Sequence, residues 1–182
     1  MNDDADEDGF NAELDSDESD PCIPSEEAIA CDDTDPDQPE PPEASPLSYE
    51  FFEGQFESMP DFSRLTPVQT GTATTFSLPS GNDENFYAIR FVGKLFIEQA
   101  GEYTFYTESD DGSRLLINDA LVVDNDGTHA VLEASGVIAL PAGLHDIVLE
   151  YFQNDGLEAL TVSWSSSDIA KQPIPESVLF AP

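Results

Sequence analysis

The chain has 182 residues, 39 acidic and 5 basic side chains, and a formal net charge of −34. That balance argues against nucleic acid, whose phosphates want Lys and Arg, and against adsorption to an anionic membrane surface; it favours divalent cations as partners. No apolar run approaches the roughly 18 residues of a spanning helix, and no basic stretch followed by an apolar one marks a signal peptide, so the chain reads as a mature region or a piece of a longer secreted protein.

The charge is uneven. Residues 1–45 hold 18 acids and neither Lys nor Arg, whereas residues 46–182 hold 21 acids and all 5 bases. Three segments are expected: an Asp-rich leader over 1–33, an acidic linker over 34–46 and a body over 47–182. In the leader, "DADEDGFNAELD" (Asp4 to Asp15) fits the twelve-residue calcium-loop template. Asp4, Asp6 and Asp8 would offer side-chain oxygens, Gly9 falls where the loop must turn, Phe10 would offer its carbonyl and Asp15 closes the loop. Ca²⁺ takes six to eight oxygens, which explains the residue types. The flanks lack long amphipathic helices, so an EF-hand is not expected. An acidic disordered stretch is the other reading.

With the continuation "DSDESDPC" and "CDDTDPD", the leader resembles thrombospondin type-3 repeats, in which Asp-rich loops wrap calcium with little regular structure. Cys22 and Cys31, the chain's two cysteines, suit a local disulfide in an oxidising compartment; two free thiols in a loop are the alternative. "TDPDQPEPPEASP" (Thr34 to Pro46) is Pro-rich and acidic, hence an extended, semi-stiff spacer.

The body carries a period of two. "EYTFYTE" sets Tyr103 and Phe105 against Thr104 and Tyr106, "HDIVLEYF" sets Ile147, Leu149 and Tyr151 against Asp146, Val148 and Glu150, and "LTVSWS" sets Leu160, Val162 and Trp164 against Thr161, Ser163 and Ser165. These patterns predict half-buried strands. "FYAIRFVGKLFIEQ" (Phe86 to Gln99) alternates too, with both faces rather apolar. Turn signals such as "SDDGS", "DNDGTH", "LPAGLH" and "QNDGLE" separate the runs. One short helical turn is expected near "SMPDFSRL" (Ser58 to Leu65). The result is an all-β antiparallel sandwich or barrel.

The ordered set "GEYTFYTESDDGSRLLIND", "VVDNDGTH", "LPAGLHDIVLEYF" and "LTVSWS" resembles the domain named for the anthrax protective antigen, the "PA fourteen" domain, over most of residues 47–182. The resemblance implies a jelly-roll-like β-sandwich of a secreted or cell-surface protein, many of whose relatives bind carbohydrate. It also implies that Asp110 and Asp111 are joined by a cis peptide and chelate one Ca²⁺. The loop "FQNDG" (Phe152 to Gly156) would complete the shell through Gln153 or Asn154, with Asn154 preferred and Asp155 contributing its carbonyl. A sugar with vicinal hydroxyls would then bind the ion beside Asp110, Asp111 and Asn154.

Plainer readings stand beside these. Ser-Asp-Asp-Gly would also serve as a hairpin turn. Asp124 and Asp126 read as a turn, His129 and His145 as hydrogen-bonding groups at strand ends, Arg114 as paired with an acid and Trp164 as core. No G-x-S-x-G, H-E-x-x-H or phosphate loop is present, so catalysis is not expected. The functional expectation is a calcium-dependent carbohydrate-binding module, lectin- or adhesin-like, in a longer extracellular chain. The alternative is a structural or protein-interaction module that binds no sugar.

Overall fold

The computed structural model describes residues 45–78 and 85–182. The calcium-loop residues Asp4, Asp6, Asp8, Phe10 and Asp15, and both Cys22 and Cys31, lie outside the described residues. In chain order the strands are β1 (Leu47–Glu53), β2 (Gln69–Ala73), β3 (Tyr87–Ile97), β4 (Gly101–Asp110), β5 (Ser113–Ile117), β6 (Ala120–Asn125), β7 (Leu132–Leu140), β8 (Gly143–Gln153), β9 (Ala159–Ser165), β10 (Gln172–Pro173) and β11 (Leu179–Phe180). Short 3-10 turns occur at Phe62–Arg64, inside the stretch expected to turn, and at Glu176–Val178.

Among the described residues the strands form two antiparallel sheets. The larger has the order β2-β1-β3-β8-β5-β6, with β11 also paired to β3; the smaller has the order β10-β9-β4-β7. The fold is therefore the all-β antiparallel sandwich that the period-two patterning predicts. No helix among the described residues is long and apolar enough to cross a membrane.

The alternation fixes which face each strand buries. Ile147, Leu149 and Tyr151 of β8 are fully buried, as are Phe105 of β4 and Leu115 of β5, and they meet between the sheets with Tyr103, Val162 and Trp164. The rings of Tyr103 and Trp164 stack with centroids 5.6 Å apart. Each such side chain contributes about 1.5–3 kcal/mol through the water it leaves. Strand β3 is apolar on both faces for a specific reason. Its inner face joins the main core, while Ala88 on its outer face packs with Phe52 and Phe152 under Phe56, Met59, Phe62 and Leu65 of the β1–β2 connection.

The rest of that outer face carries a row of alternating charge. Glu50, Arg90, Glu150, Arg114 and Asp124 lie in register across β1, β3, β8, β5 and β6. Arg90 stands 3.8 Å from Glu50 and 3.6 Å from Glu150, and Arg114 pairs with Asp124 at 3.1 Å and Asp126 at 2.8 Å. Pairs this exposed stabilise by about 0–1 kcal/mol each. Their larger effect is on register, since opposite charges face each other and a slipped strand would set like against like.

Two features of topology matter for function. Of the passages from one sheet to the other, β4→β5, β6→β7 and β8→β9 gather at one end of the sandwich. They do so because β5 and β8 pair there in the larger sheet (Ser113 opposite Tyr151), while β4 pairs with β9 and β7 in the smaller (Asp110 opposite Ala159, Ser109 opposite Leu132). Along the other edge of β3, β1 pairs from Val92 to Tyr87 and β11 pairs at Lys94 and Leu95, and where the two meet the Ala181 amide donates to Ser45 Oγ at 3.1 Å.

Candidate cation site

The β4→β5 crossing is Asp110, Asp111 and Gly112. Beneath it, Ser109 Oγ and Ser113 Oγ share a hydrogen bond of 2.8 Å, and Asn125 Nδ2 donates to Ser109 Oγ and to the Leu132 carbonyl. These bonds tie the corner to the neighbouring β6→β7 crossing. Gly112 is packed too closely for a side chain: a Cβ there would lie 2.4 Å from the Phe152 ring and 3.0 Å from the Gly127 nitrogen. The Asp110–Asp111 peptide is cis, as the resemblance implies.

Both carboxylates sit in the mouth of this corner, with Asp110 only 8% and Asp111 only 5% exposed. Among the described residues no Lys or Arg pairs with either. Burial pushes the Asp110 carboxyl above its usual value, and the Asp111 charge adds to the push; His129 and the Val131 amide work against it. The Asp111 oxygens are held by backbone donors, Oδ1 by the His129 amide at 3.0 Å and Oδ2 by the Asn154 amide at 2.8 Å. Each oxygen keeps a second lone pair for another partner.

The β8→β9 crossing supplies the remaining candidates, and their positions differ. Asn154 joins Asp111 through its amide, and its carbonyl accepts from the Phe86 amide at 2.9 Å. Its side-chain Oδ1 is buried with no hydrogen-bond partner among the described residues. Gln153 is buried with both polar ends engaged: Oε1 accepts from the Tyr151 hydroxyl at 2.8 Å and Nε2 donates to the Leu157 carbonyl at 3.1 Å. Asp155 is exposed at the tip of the loop. Asp110, Asp111 and Asn154 are thus brought together, while the Gln153 side chain points its polar atoms into the fold.

An orphaned acceptor costs about 1–3 kcal/mol when nothing satisfies it. Here it accompanies two buried carboxylates that, among the described residues, no Lys or Arg pairs with. Oxygen-only donors with two negative charges fit a hard cation such as Ca²⁺, which accepts carboxylate, amide and backbone oxygens. Among the described residues no three His, Cys, Asp or Glu side chains gather as a metal group. Any ion here would therefore rest on two carboxylates completed by amide and main-chain oxygens.

The other polar residues take structural roles. Asp124 and Asp126 pair with Arg114, and Asp126 also accepts from the Met59 and Gly127 amides, which seats the β1–β2 connection. His145 lies between Asn118 Nδ2 and the Pro141 carbonyl. The ring nitrogens of His129 face the carbonyls of Ala130 and Asn125. Sequence patterning gave no sign of the His129 amide, Asn125 or the Ser109–Ser113 pair. These act through the main chain or across crossings, and the only local trace is a Ser on either side of Asp110–Gly112.

The sequence matches the PA14 domain family over residues 47–177. The anti-sigma-I factor RsgI3 of Acetivibrio thermocellus is 32% identical over 133 residues, which are 70% of this chain and 21% of that protein. Among solved structures, an anti-sigma factor domain-containing protein superposes with a TM-score of 0.65 at 29% identity, covering 76% of this chain and 48% of its own. The chain thus spans less than half the length of either relative. A PA14 sugar-binding domain from an RTX adhesin shares the fold, with a TM-score of 0.64 at 16% identity over 76% of this chain and 99% of that domain. The family match begins at the first strand and ends in the 3-10 turn before the last, so it takes in the crossings that carry Asp110, Asp111 and Asn154, and the chain belongs to the PA14 domain family.

Proposed function

We propose that this domain binds carbohydrate through a Ca²⁺ ion held by Asp110, Asp111 and Asn154. The observation that carries the reading is the buried Asn154 Oδ1, without a partner among the described residues, on a residue whose amide bonds Asp111, one of two buried carboxylates that no Lys or Arg neutralises. A bound Ca²⁺ would satisfy the orphaned oxygen, relieve the repulsion between the carboxylates and accept two vicinal hydroxyls of a sugar at its open positions. The shared fold with a domain named as sugar-binding supports the same ligand class. Asp110 and Asp111 would stay ionised beside the cation, which suits a binding module rather than a proton donor in an enzyme. The Asp4–Asp15 loop of the leader would take calcium by the same oxygen chemistry, and a Cys22–Cys31 disulfide would place the chain in an oxidising, extracellular setting.

The test is a glycan array probed with wild-type protein in Ca²⁺ and again after chelation, beside an Asp110→Ala variant. Binding should vanish with chelator and in the variant. Binding that persists in chelator would remove the ion from the recognition step. The likeness to proteins named as anti-sigma factors supports a second reading, in which the domain is one module of a longer regulatory chain and its ligand is another protein. Silence across the array, with retained Ca²⁺ uptake, would favour that reading.

A further inference from the structure

The two crossings that carry the candidate ligands are also joined beneath the surface. Tyr151 is fully buried near the end of β8, and its single O–H is shared between two acceptors, the Asp110 carbonyl and Gln153 Oε1. Gln153 Nε2 continues the connection to the Leu157 carbonyl in the β8→β9 crossing. The Tyr87 hydroxyl donates to Glu158 Oε2 at 2.8 Å, one residue further on, and its ring lies 5.9 Å from that of Tyr151. A single unbroken path therefore runs from the main chain between the paired aspartates, through a phenol and an amide, to the loop that bears Asn154.

We infer that Tyr151 and Gln153 are positioning residues of the cation site, a buried phenol–amide relay that sets the spacing between Asp110–Asp111 and Asn154. Neither touches the ion. The inference rests on the calcium reading above and assigns Gln153 a different part from that of a ligand. Two observations carry it. Both polar ends of the Gln153 side chain are already committed within the protein, and the Tyr151 hydroxyl is bonded to the peptide that joins the two carboxylate-bearing residues. Groups that orient metal ligands without touching the metal change affinity about 10–100-fold when removed.

Calorimetric titration with Ca²⁺ of wild type, Tyr151→Phe, Gln153→Met and the double variant tests this. Tyr151→Phe keeps the ring in the core and deletes only the hydroxyl. Each single variant should lose about tenfold in Ca²⁺ affinity. The double variant should lose no more than about the larger single loss, because one path is broken once. Unchanged affinity in Tyr151→Phe overturns the relay, and so does a Gln153→Met loss that multiplies with that of Tyr151→Phe. Amide hydrogen exchange in Ca²⁺-free protein is an independent readout. The Asn154 amide should exchange faster in Tyr151→Phe while the β3 and β8 amides stay protected. If wild type takes up no Ca²⁺, the cation reading fails, and unchanged Asn154 exchange then overturns the relay as well.

Discussion

Asn154 reverses an ordinary rule about buried polar atoms. Its Oδ1 has no partner among the described residues, so an unmet acceptor sits on the residue whose amide bonds Asp111. Deleting such a group removes a cost rather than a bond. Asn154→Ala should therefore leave the Ca²⁺-free protein as stable as wild type or slightly more so, by urea unfolding, because its main-chain bonds to Asp111 and Phe86 survive the change. The same substitution should lower Ca²⁺ affinity at least tenfold, about 1.4 kcal/mol, by calorimetry. A drop in Ca²⁺-free stability with unchanged affinity would make the side chain a structural group. Asp111 differs from Asn154 in that both its oxygens already accept backbone amides. Its carboxylate organises the crossings even without an ion, which makes it the poorer residue for isolating cation binding.

Between elements, β6 and β7 bring the two sheets into close contact. A Cβ on Gly136 would lie 1.7 Å from the Val122 carbonyl oxygen, a main-chain atom that cannot turn aside. Gly136→Ala should destabilise by about 1–3 kcal/mol or more, read from the urea midpoint. Gly101→Ala, where nothing lies within 4 Å, should stay within about 0.5 kcal/mol of wild type. Equal effects at the two positions would mean that glycine entropy, not contact, sets the result. The same scale shows what the sequence made legible. Ile147, Leu149 and Tyr151 announce β8 because one face of that strand is wet, and Tyr103 and Phe105 do the same for β4. Strand β3 blurred the pattern because its outer cover, Phe56, Phe62 and Leu65, comes from a connection more than twenty residues earlier. The two-residue strands β10 and β11 are too short to show a period at all. At the site, the paired aspartates stood out through their neighbours in the family pattern. The choice between Gln153 and Asn154 could not be read locally, since it turns on where the Tyr151 hydroxyl points.

For the whole molecule, charge dominates the response to solution conditions. A net charge of −34 on 182 residues opposes compaction, and salt screens that repulsion. NaCl should raise the melting temperature of Ca²⁺-free protein gradually. CaCl₂ at matched ionic strength should raise it further, saturably, by the equivalent of about 2.7 kcal/mol at a hundred times the dissociation constant. The excess over NaCl should shrink in Asp110→Ala; an excess of equal size in that variant would assign it to sites elsewhere in the chain. The meeting of Ser45 and Ala181 bears on a different property, how the domain takes a load. Its two ends meet beside Gly93 and Lys94 of β3, about 20 Å along that strand from Tyr87 at ~3.4 Å per residue. A tug on both ends would fall first on the pairings of β1 and β11 with β3, on the edge of β3 away from β8 and its crossing. A host chain could therefore carry this module as a side pendant and be stretched without prising apart the aspartates at its tip.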